Sequence, residues 1–409
     1  MYRNDTILEP VKTLNFSADL VGLLGDVKLE NGLTLEEALT IDGFSFWDVI
    51  SPELAHSYIP RILASTKPPS LLDIIKSSIL SVSFIFRKIN FTKNKTIIKP
   101  EPCEINVLCL GFVNQMYRDI VNPIVTRLDD HEYINTLILS DKKWDKLEPP
   151  FSKRCSFQSI WSYWDKDLFN KAAEIETAIL HVKKATKSTN IILDALPEDI
   201  KYLSDHFKLL FEKLFNFHLP RIARQVVLAE KVLKLHKPKI IVSPDVADSR
   251  ARIYTMLSRQ LGITSLDVQF GLAGKEAVEW RFLAANYVAA WGQLSKEAIL
   301  NQGISPNRVI TTGSPRHDYQ FTVSNQERIN RRRGLGVPDN AELFVLASVY
   351  SLKTHDKFSD PKILIGMKNA VFDAFRDMPN AFLIVKPHPV ENEPETKALI
   401  LDAKNIIQV

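Results

Sequence analysis

The chain has 409 residues, of which 45% are hydrophobic and 24% are charged, with 14 Gly and 22 Pro. These values are typical of a globular protein and exclude collagen-like, low-complexity and largely disordered chains. The length corresponds to about two to three domains, each large enough to bury its own core. Lys and Arg number 52 against 48 Asp and Glu, a net charge of +4. That balance is too mild to indicate nucleic acid as a partner.

Cysteine content and apolar runs indicate the compartment. The three cysteines are too few to cross-link a chain of this length, and their spacing fits no zinc site, which favours a reducing environment. No apolar run reaches the roughly 18 residues that a membrane span needs. Residues 1–10 carry no apolar signal segment. We therefore expect a cytoplasmic protein.

Residues 1–100 predict a mixed N-terminal extension, on the acceptor side of the protein or close to a membrane. Three aromatic residues, Phe44, Phe46 and Trp47, are expected to cap a neighbouring core. Residues 70–89 read as an apolar helix or a pair of strands, and a basic segment follows as far as Lys99. This pattern is typical of a packed helix with a solvated tail, or of a peripheral contact with the inner membrane.

From residue 104 to the end of the sequence, short β-branched runs alternate with helical patterns, which indicates parallel α/β layers. In the clearest helix Ile222, Val226 and Leu233 lie on one face. The candidate strands form two series, the first at 104–112, 133–140, 190–196, 239–244 and 264–270, and the second at 286–292, 308–313, 343–348, 382–387 and 405–409.

Two series of strands predict an α/β fold with two Rossmann-like domains after the N-terminal extension. We place the extension at 1–100, an acceptor domain at 101–284 and a nucleotide-sugar domain at 285–409, with the junction near 280–286. Because the last predicted strand has no following element to cover it, the C-terminal domain is expected to be incomplete.

Polar residues after the earlier strands are candidates for catalysis, because ligands of an open parallel sheet bind beyond the carboxyl ends of its strands. Asp245 and Asp248 follow the strand at 239–244. Either carboxylate could act as base or nucleophile on an activated sugar, or could cap the helix that begins at Ser249 or Arg250. Glu276 and Glu279 are rival acid–base candidates. We assign acceptor binding to two further residues at strand ends: Asn114 and Gln269.

Residues after the later strands are candidates for binding an anion. Two prolines make a rigid turn at 386–389 and hold an ammonium and an imidazole near the start of a helix, where a phosphate is favoured. The alternative is a plain turn. Arg316 could instead form an ion pair with Asp318. The predicted donor-binding residues are Gly313, Ser314, Arg316, Ser348, Lys386, His388 and Pro389.

Four segments together resemble bacterial GT-B glycosyltransferases of capsule and lipopolysaccharide assembly. This group includes the Kdo transferases with a His-Pro motif, the polysialyltransferases and the CDP-glycerol glycerophosphotransferases. The resemblance covers residues 239–390 well and 104–238 by architecture alone. The segments that carry it are SPD at 243–245, LDVQFG at 266–271, AAWGQLSKEAILNQGISPNRVITTGSPRHD at 289–318 and LIVKPHP at 383–389.

The resemblance implies that the C-terminal domain binds the nucleotide through Lys386 and the His-Pro pair, that the N-terminal domain binds the acceptor, and that no divalent metal is needed. Retaining Kdo transferases of this kind use an aspartate nucleophile, for which Asp245 and Asp248 are the candidates by position. Many relatives have Gln-His-Gly where this chain has Phe270 in the middle position. This departure shifts weight from a histidine base to the acidic residues.

The sequence therefore predicts a transferase that moves a sugar, such as the CMP-activated ulosonic acid Kdo, onto a growing surface glycan. The expected partners are a nucleotide sugar and a polysaccharide or glycolipid acceptor, without nucleic acid. No cofactor is expected beyond the donor itself, and no metal. The alternatives are a CDP-polyol phosphotransferase, a sugar-nucleotide epimerase in the same fold, and a non-catalytic scaffold of polysaccharide assembly.

Overall fold

The structure is a computed structural model that describes residues 10–65, 105–141, 154–187, 190–271, 273, 277–318, 323–347, 361–378, 380–387 and 404–408. Outside these residues lie the predicted apolar and basic segments at 70–99 and four predicted site residues, Glu276, Ser348, His388 and Pro389. The chain divides into two units, of which the first ends at Arg316 and the second begins at His317.

Strands in the described ranges form one antiparallel pair and two parallel sheets. In chain order they are β1 (Thr40–Ile41), β2 (Phe44–Ser45), β3 (Val107–Leu110), β4 (Thr136–Ser140), β5 (Cys155–Ser159), β6 (Ile240–Ser243), β7 (Thr264–Val268), β8 (Tyr287–Ala290), β9 (Val309–Thr311), β10 (Glu342–Ala347), β11 (Ala381–Lys386) and β12 (Ile406–Gln408).

The α-helices of the described ranges connect these strands and cover them. They are α1 (Pro10–Gly25), α2 (Leu35–Ala38), α3 (Phe46–Glu53), α4 (Ile59–Leu63), α5 (Asn114–Met116), α6 (Asn122–Asp129), α7 (Lys166–Lys187), α8 (Ile191–Asp194), α9 (Ser204–Lys213), α10 (Leu219–His236), α11 (Ser249–Gln260), α12 (Gln293–Leu300), α13 (Pro315–Asp318), α14 (Asn325–Gly334) and α15 (Pro361–Arg376).

The first unit is built on a seven-stranded sheet with the order β5-β4-β3-β6-β7-β8-β9, and every neighbouring pair is parallel. This is the doubly wound order, in which the chain runs outward from β3 in one direction, returns to β6 and then runs outward in the other. The α/β class predicted from the sequence is confirmed.

Both faces of this sheet are buried, as the apolar runs of its central strands require. Leu108 and Leu110 of β3 point to one face and pack with helices α7, α10 and α11. Val107 and Cys109 point to the other face and pack with residues of the segment that follows β3. Since successive side chains of a strand alternate between faces, four apolar residues in a row supply both cores.

The N-terminal segment is part of the first unit. Phe46 and Trp47 of α3, together with Phe44 of β2, are at most 4% exposed and join the core that includes Leu108 and Leu110. The prediction that these aromatic residues cap a neighbouring core is confirmed. The described part of the predicted N-terminal extension thus completes a hydrophobic core of the sheet.

Within the described ranges, three π-helical turns stand directly before a residue that precedes proline. Proline has no N–H and its ring presses on the carbonyl four residues earlier, so the helix widens upstream of it. Ahead of Pro60, for example, the amide of Ile59 donates to the carbonyl of Leu54, five residues back. The three turns are Leu54–Tyr58 before Pro60, Tyr117–Val121 before Pro123 and Leu214–His218 before Pro220.

Two of these turns meet through their last residues. The hydroxyl of Tyr58 lies 3.2 Å from Nε2 of His218, and the two rings meet edge to face with centroids 5.5 Å apart. Burial, and then the charges of Arg221 and Lys213, lower the pKa of His218 from 6.5 to about 4. This imidazole is therefore neutral over most of the pH range in which the protein is expected to be folded.

Acidification should cost the wild-type protein stability through His218. Between pH 6.5 and 4 the unfolded chain binds a proton at this residue and the folded chain does not, so the free energy of unfolding falls as pH drops. We expect His218→Gln to remove up to about 3 kcal/mol of that loss. The measurement is urea denaturation at pH 7.5 and 4.5. The exposed His131→Gln is the control, and equal pH dependence in wild type and His218→Gln would contradict the expectation.

The boundary predicted near 280–286 is wrong, because the first sheet continues beyond it. Strands β8 and β9, assigned from the sequence to the second domain, pair with β7 and with each other, and the first unit ends only at Arg316. Short β-branched runs identify strands but do not indicate which sheet they join. The predicted strand at 190–196 is also wrong, since this short apolar run forms α8.

The second unit contains a three-stranded parallel sheet in the order β10-β11-β12. Phe372 of α15 packs against Leu383 and Val385 of β11 and Ile406 of β12. Two parallel sheets in two units agree with the predicted pair of α/β domains. None of the helices in the described ranges has the length and apolar character needed to cross a bilayer.

Candidate functional site

The centre of the seven-stranded sheet is where its connections change direction. Strand β3 leads outward to β4 on one side, while its other neighbour β6 leads to β7. The loops at the carboxyl ends of β3 and β6 therefore diverge and leave a crevice, which is where open α/β sheets bind ligands. Residues 111–114 follow β3, residues 244–248 follow β6, and Asp141 follows β4.

Asp245 lies in the loop after β6. Its Oδ1 accepts hydrogen bonds from the amides of Ala247 at 2.8 Å and Asp248 at 3.2 Å, which closes a tight turn at the strand end. Burial, and next the neighbouring charge of Asp248, raise the pKa of Asp245 from 3.8 to about 7. A carboxyl group that titrates near neutrality can both give and take a proton under working conditions.

Asp248 caps helix α11, the alternative role that the sequence left open for it. Its Oδ1 accepts from the amide of Arg250 at 2.8 Å, and the guanidinium Nε of Arg250 donates to both carboxylate oxygens at 2.9 and 3.2 Å. These bonds occupy the carboxylate of Asp248. Its charge remains in the site as a fixed negative neighbour of Asp245.

Arg250 also joins the ends of three strands. Its Nη1 donates to Asp141 Oδ2 at 2.6 Å and to the carbonyl of Phe112 at 3.3 Å, and its guanidinium carbon lies 5.2 Å from the centroid of the Phe112 ring. The side chains of Arg250 and Asp141 are 17% and 15% exposed, so this pair is largely withdrawn from water. The sequence analysis did not predict Asp141 as a site residue, although it directly follows the predicted strand at 133–140 and so lies at a carboxyl strand end.

A second buried carboxylate stands behind Asp245. Asp267 of β7 is 2% exposed and lies opposite Ser243 in the sheet register. Burial raises its pKa from 3.8 to about 6, against the opposing effects of the Ser243 hydroxyl and the charges of Arg252 and Arg308. Its Oδ1 has no hydrogen-bond partner among the described residues. The charge of Asp267 also contributes to the raised pKa of Asp245.

Gln269 has a structural position. Its side chain is fully buried, with Nε2 donating to the carbonyl of Gly271 at 2.7 Å and to Ser295 Oγ at 3.0 Å, and Oε1 accepting from the amide of Trp291 at 2.8 Å. The side-chain amide of Gln269 thus links the end of β7 to the end of β8 by hydrogen bonds. The predicted acceptor contact of Gln269 is corrected, because no part of the side chain is exposed to a ligand.

Arg316 crosses the carboxyl edge of the sheet. It follows β9 at the sheet margin, yet its Nε lies 3.3 Å from Asp119, in the segment after the central strand β3. Its guanidinium carbon also lies 5.7 Å from the centroid of Phe270. Phe270, the residue that departs from the family pattern, thus supports an arginine at this edge. The sequence offered Asp318 as the alternative partner of Arg316, whereas the ion pair in the structure is with Asp119.

Small and polar predicted residues lie at the same edge. Gly313 has a φ of 83°, in the region that favours glycine, and turns the chain after β9. The next residue, Ser314, is 8% exposed, and its hydroxyl has no partner in the described part of the chain. Asn114 is exposed at the start of α5, after β3. Asn114 is thus exposed near the carboxyl end of β3, and its role in acceptor binding stays a prediction.

In the second unit, Lys386 is exposed at the carboxyl end of β11, and it pairs in register with Ala347 at the end of β10. The loops after β10 and β11 thus leave from the same edge of the smaller sheet. Glu279, the rival acid–base residue, is half-buried in the first unit. No group of three or more metal-ligating side chains is found in the described ranges.

Comparisons with known proteins give structural similarity only. No protein family and no curated protein matches the chain. It is similar to UDP-GlcNAc 2-epimerase from Methanocaldococcus jannaschii, with 14% identity over 75% of this chain and 73% of that chain and a TM-score of 0.42. It is also similar to UDP-GlcNAc 2-epimerase from Neisseria meningitidis bound to UDP-GlcNAc. That similarity has 12% identity over 75% of this chain and 72% of that chain, with a TM-score of 0.42.

A third solved structure is the lipopolysaccharide outer core galactosyltransferase WaaB in its apo form. It is 16% identical over 74% of this chain and 67% of that chain, with a TM-score of 0.39. Similarity at this level assigns no activity to the chain.

Proposed function

We propose that the protein is a glycosyltransferase that moves a sugar from a nucleotide-activated donor to a surface polysaccharide acceptor. The observation that carries the proposal is the charged cluster at the point where the seven-stranded sheet changes direction. There Arg250 holds Asp141 and Asp248, and beside them Asp245 titrates near neutral pH. A transferred sugar develops positive charge at its anomeric carbon, which such a set of carboxylates stabilises.

Each residue has a role in this proposal. Asp245 acts on the anomeric carbon as nucleophile or as proton acceptor, with the fixed charge of Asp248 beside it. Asn114 offers its amide to the acceptor. Glu276 remains the rival acidic residue. The residues that the sequence predicts for the donor's phosphate are Gly313, Ser314 and Arg316 in the first unit, and Ser348, Lys386, His388 and Pro389 in the second.

The resemblance to the His-Pro group favours a cytidine nucleotide, as in CMP-activated ulosonic acids such as Kdo. A ligand that binds only the folded state raises its apparent stability. We expect CMP or CDP to raise the melting temperature more than UDP or GDP, measured in one thermal-shift panel at equal concentrations. His388→Ala should lose most of that shift, whereas the exposed His131→Ala should keep it.

The thermal-shift panel, together with activity assays on intact donors, separates the alternatives. A larger shift with UDP would contradict a cytidine nucleotide as the donor, but it would still agree with an enzyme that uses a nucleotide sugar. Conversion of a donor sugar to its epimer without acceptor would indicate the epimerase, and transfer of glycerol phosphate from CDP-glycerol would indicate the polyol phosphotransferase. Absence of a shift with all four nucleotides would contradict the proposal.

A further inference from the structure

A cavity outside the site described above is lined by helices α7, α8 and α9 of the first unit and by the π-helical turn after α9. Its volume is about 280 Å³, close to the lower end of the range for pockets that hold small molecules. None of the residues that line it belongs to the crevice at the carboxyl edge of the sheet. The cavity is therefore a separate candidate site.

The cavity lies at one end of a pair of antiparallel helices. Ion pairs join α7 to α10 and then to α9, and as the residue numbers rise along α7 they fall along its partners. After α7 the chain turns through Asn190, whose φ of 49° is left-handed, a conformation that asparagine tolerates. Helix α8 then contributes its side chains to the wall. The ion pairs are Lys171–Glu230 at 2.6 Å, Glu176–Arg224 at 2.9 Å and Lys183–Glu212 at 3.2 Å.

Much of the cavity wall is apolar. Ile192 and Phe215 are 4% and 2% exposed and belong to the large core of the first unit. Leu193 and Phe211 pack against that core but are only half-buried, and both line the cavity. Burying hydrocarbon against this wall is favourable, whereas the hydroxyls of a sugar ring placed there would lose their hydrogen bonds to water. The wall therefore favours a hydrocarbon ligand.

The polar groups of the cavity leave an excess of positive charge. Nζ of Lys183 lies 3.2 Å from Oε2 of Glu212 and donates a hydrogen bond to Asn216. The side-chain amide of Asn216 donates to the same Glu212 oxygen at 3.0 Å. These contacts compensate the carboxylate within the wall. Lys208 also lines the cavity but is exposed, and no ion pair holds it within the described ranges. Its ammonium group is therefore available to an anion.

A neighbouring depression on α7 has the same combination of groups. It shares Lys183 with the cavity and is also lined by Leu180 and Lys184. Leu180 is 46% exposed, and Lys184 is exposed. Apolar surface with ammonium groups beside it is the complement of a hydrocarbon chain that carries a negative charge.

We propose that this cavity binds an amphiphile with an anionic head group, its hydrocarbon chain on Leu193 and Phe211 and its head group at Lys208. The chain is stabilised by leaving water, and the head group by the attraction of the exposed ammonium. The proposal goes beyond the proposed function, because this binding requires neither the nucleotide donor nor the crevice.

Calorimetric titration of the full chain with alkyl phosphates, kept below their micelle concentrations, tests the role of the hydrocarbon chain. Octyl phosphate should bind at least about tenfold more tightly than butyl phosphate, because four more methylenes leave water. Octanoate, titrated in parallel, shows whether a carboxylate or a phosphate is the preferred head group. Equal affinities for the octyl and butyl compounds would overturn the proposal.

The role of the charge is tested with octyl glucoside, which has the same chain without an anion. It should bind more weakly than octyl phosphate, and equal binding would overturn the proposal. Lys208→Glu should weaken octyl phosphate about fivefold or more and leave octyl glucoside unchanged. Lys166→Glu is the matched control, since Lys166 is exposed at the opposite end of α7, and this variant should bind as the wild type does.

Leu193→Trp tests the cavity itself, because the larger side chain fills the space that the hydrocarbon would occupy. This variant should lose the preference for octyl over butyl phosphate, and its melting temperature shows whether it has folded. Should it not fold, the Lys208→Glu titration decides alone. Wild-type affinity for octyl phosphate in Lys208→Glu, or in folded Leu193→Trp, would overturn the proposal. Neither result bears on the proposed transferase function, which the nucleotide panel tests.

Discussion

Asp245→Asn should make the protein more stable and abolish its activity. Asparagine keeps the Oδ1 acceptor that closes the turn to Ala247 and Asp248. It removes a carboxylate that folding withdraws from water and places beside the charge of Asp248. Functional sites store such unfavourable charge, so a gain in stability with loss of function is the expected result. Nucleotide release should fall at least about 1,000-fold.

The gain in stability should depend on pH in one direction. The pKa of Asp245 is raised from 3.8 unfolded to about 7 folded, so between these values the folded state binds the extra proton. Stability is therefore lost as pH rises through 7, and only the wild type loses it. In urea denaturation, the free energy of unfolding of Asp245→Asn should exceed that of the wild type by about 2–4 kcal/mol at pH 8. At pH 4 the two free energies should differ little. Exposed Asp130→Asn is the control. If Asp245→Asn is destabilised equally at both pH values, the expectation is contradicted, and Asp245 serves only to form the turn.

Arg250→Met should cost about 3–5 kcal/mol of unfolding free energy, because it leaves two largely buried carboxylates without their partner. Arg250 holds Asp248 through Nε and Asp141 at 2.6 Å, and the side chains of these acids are 11% and 15% exposed. Methionine retains the apolar stem, so the loss isolates the guanidinium. Chemical denaturation at pH 7.5 measures it.

Arg333→Met is the matched control, since its pair with Asp339 has the same 2.6 Å separation but is 61% and 56% exposed. It should cost much less than Arg250→Met, because solvent screens an exposed ion pair. Should Arg250→Met not fold, Arg250→Lys, which keeps the charge without the planar fork, should be intermediate in stability. Equal effects at the two arginines would contradict a special role for the buried pair.

Much of the first sheet could be predicted because its strands are buried on both faces. Runs such as 107–110 and 240–242 are apolar throughout, which separates them from the surrounding helices. The rule that ligands bind at carboxyl ends then made Asp245 and Asp248 candidates from the sequence alone, and their catalytic role stays a prediction. Strand β5 was missed because it lies at the sheet edge and reads Cys-Ser-Phe-Gln-Ser, with a single buried residue.

The long-range contacts of the site could not be predicted. Arg250 and Asp141 are 109 residues apart, and Tyr58 and His218 are 160 apart. Their meeting depends on the strand order and on how α3 and α10 pack, neither of which leaves a local pattern. Gln269 shows the opposite error, since a polar residue at a strand end can be a fastening between strands, with every hydrogen bond satisfied.

Hydrogen exchange with and without the nucleotide that gives the largest thermal shift tests most directly where the ligand binds. We expect at least about tenfold slower amide exchange in peptides covering 111–117, 244–250 and 381–388. These peptides contain the carboxyl ends of β3, β6 and β11. Protection confined to the opposite ends of the strands, in peptides covering 130–136 and 237–240, would contradict a binding site at the carboxyl edge.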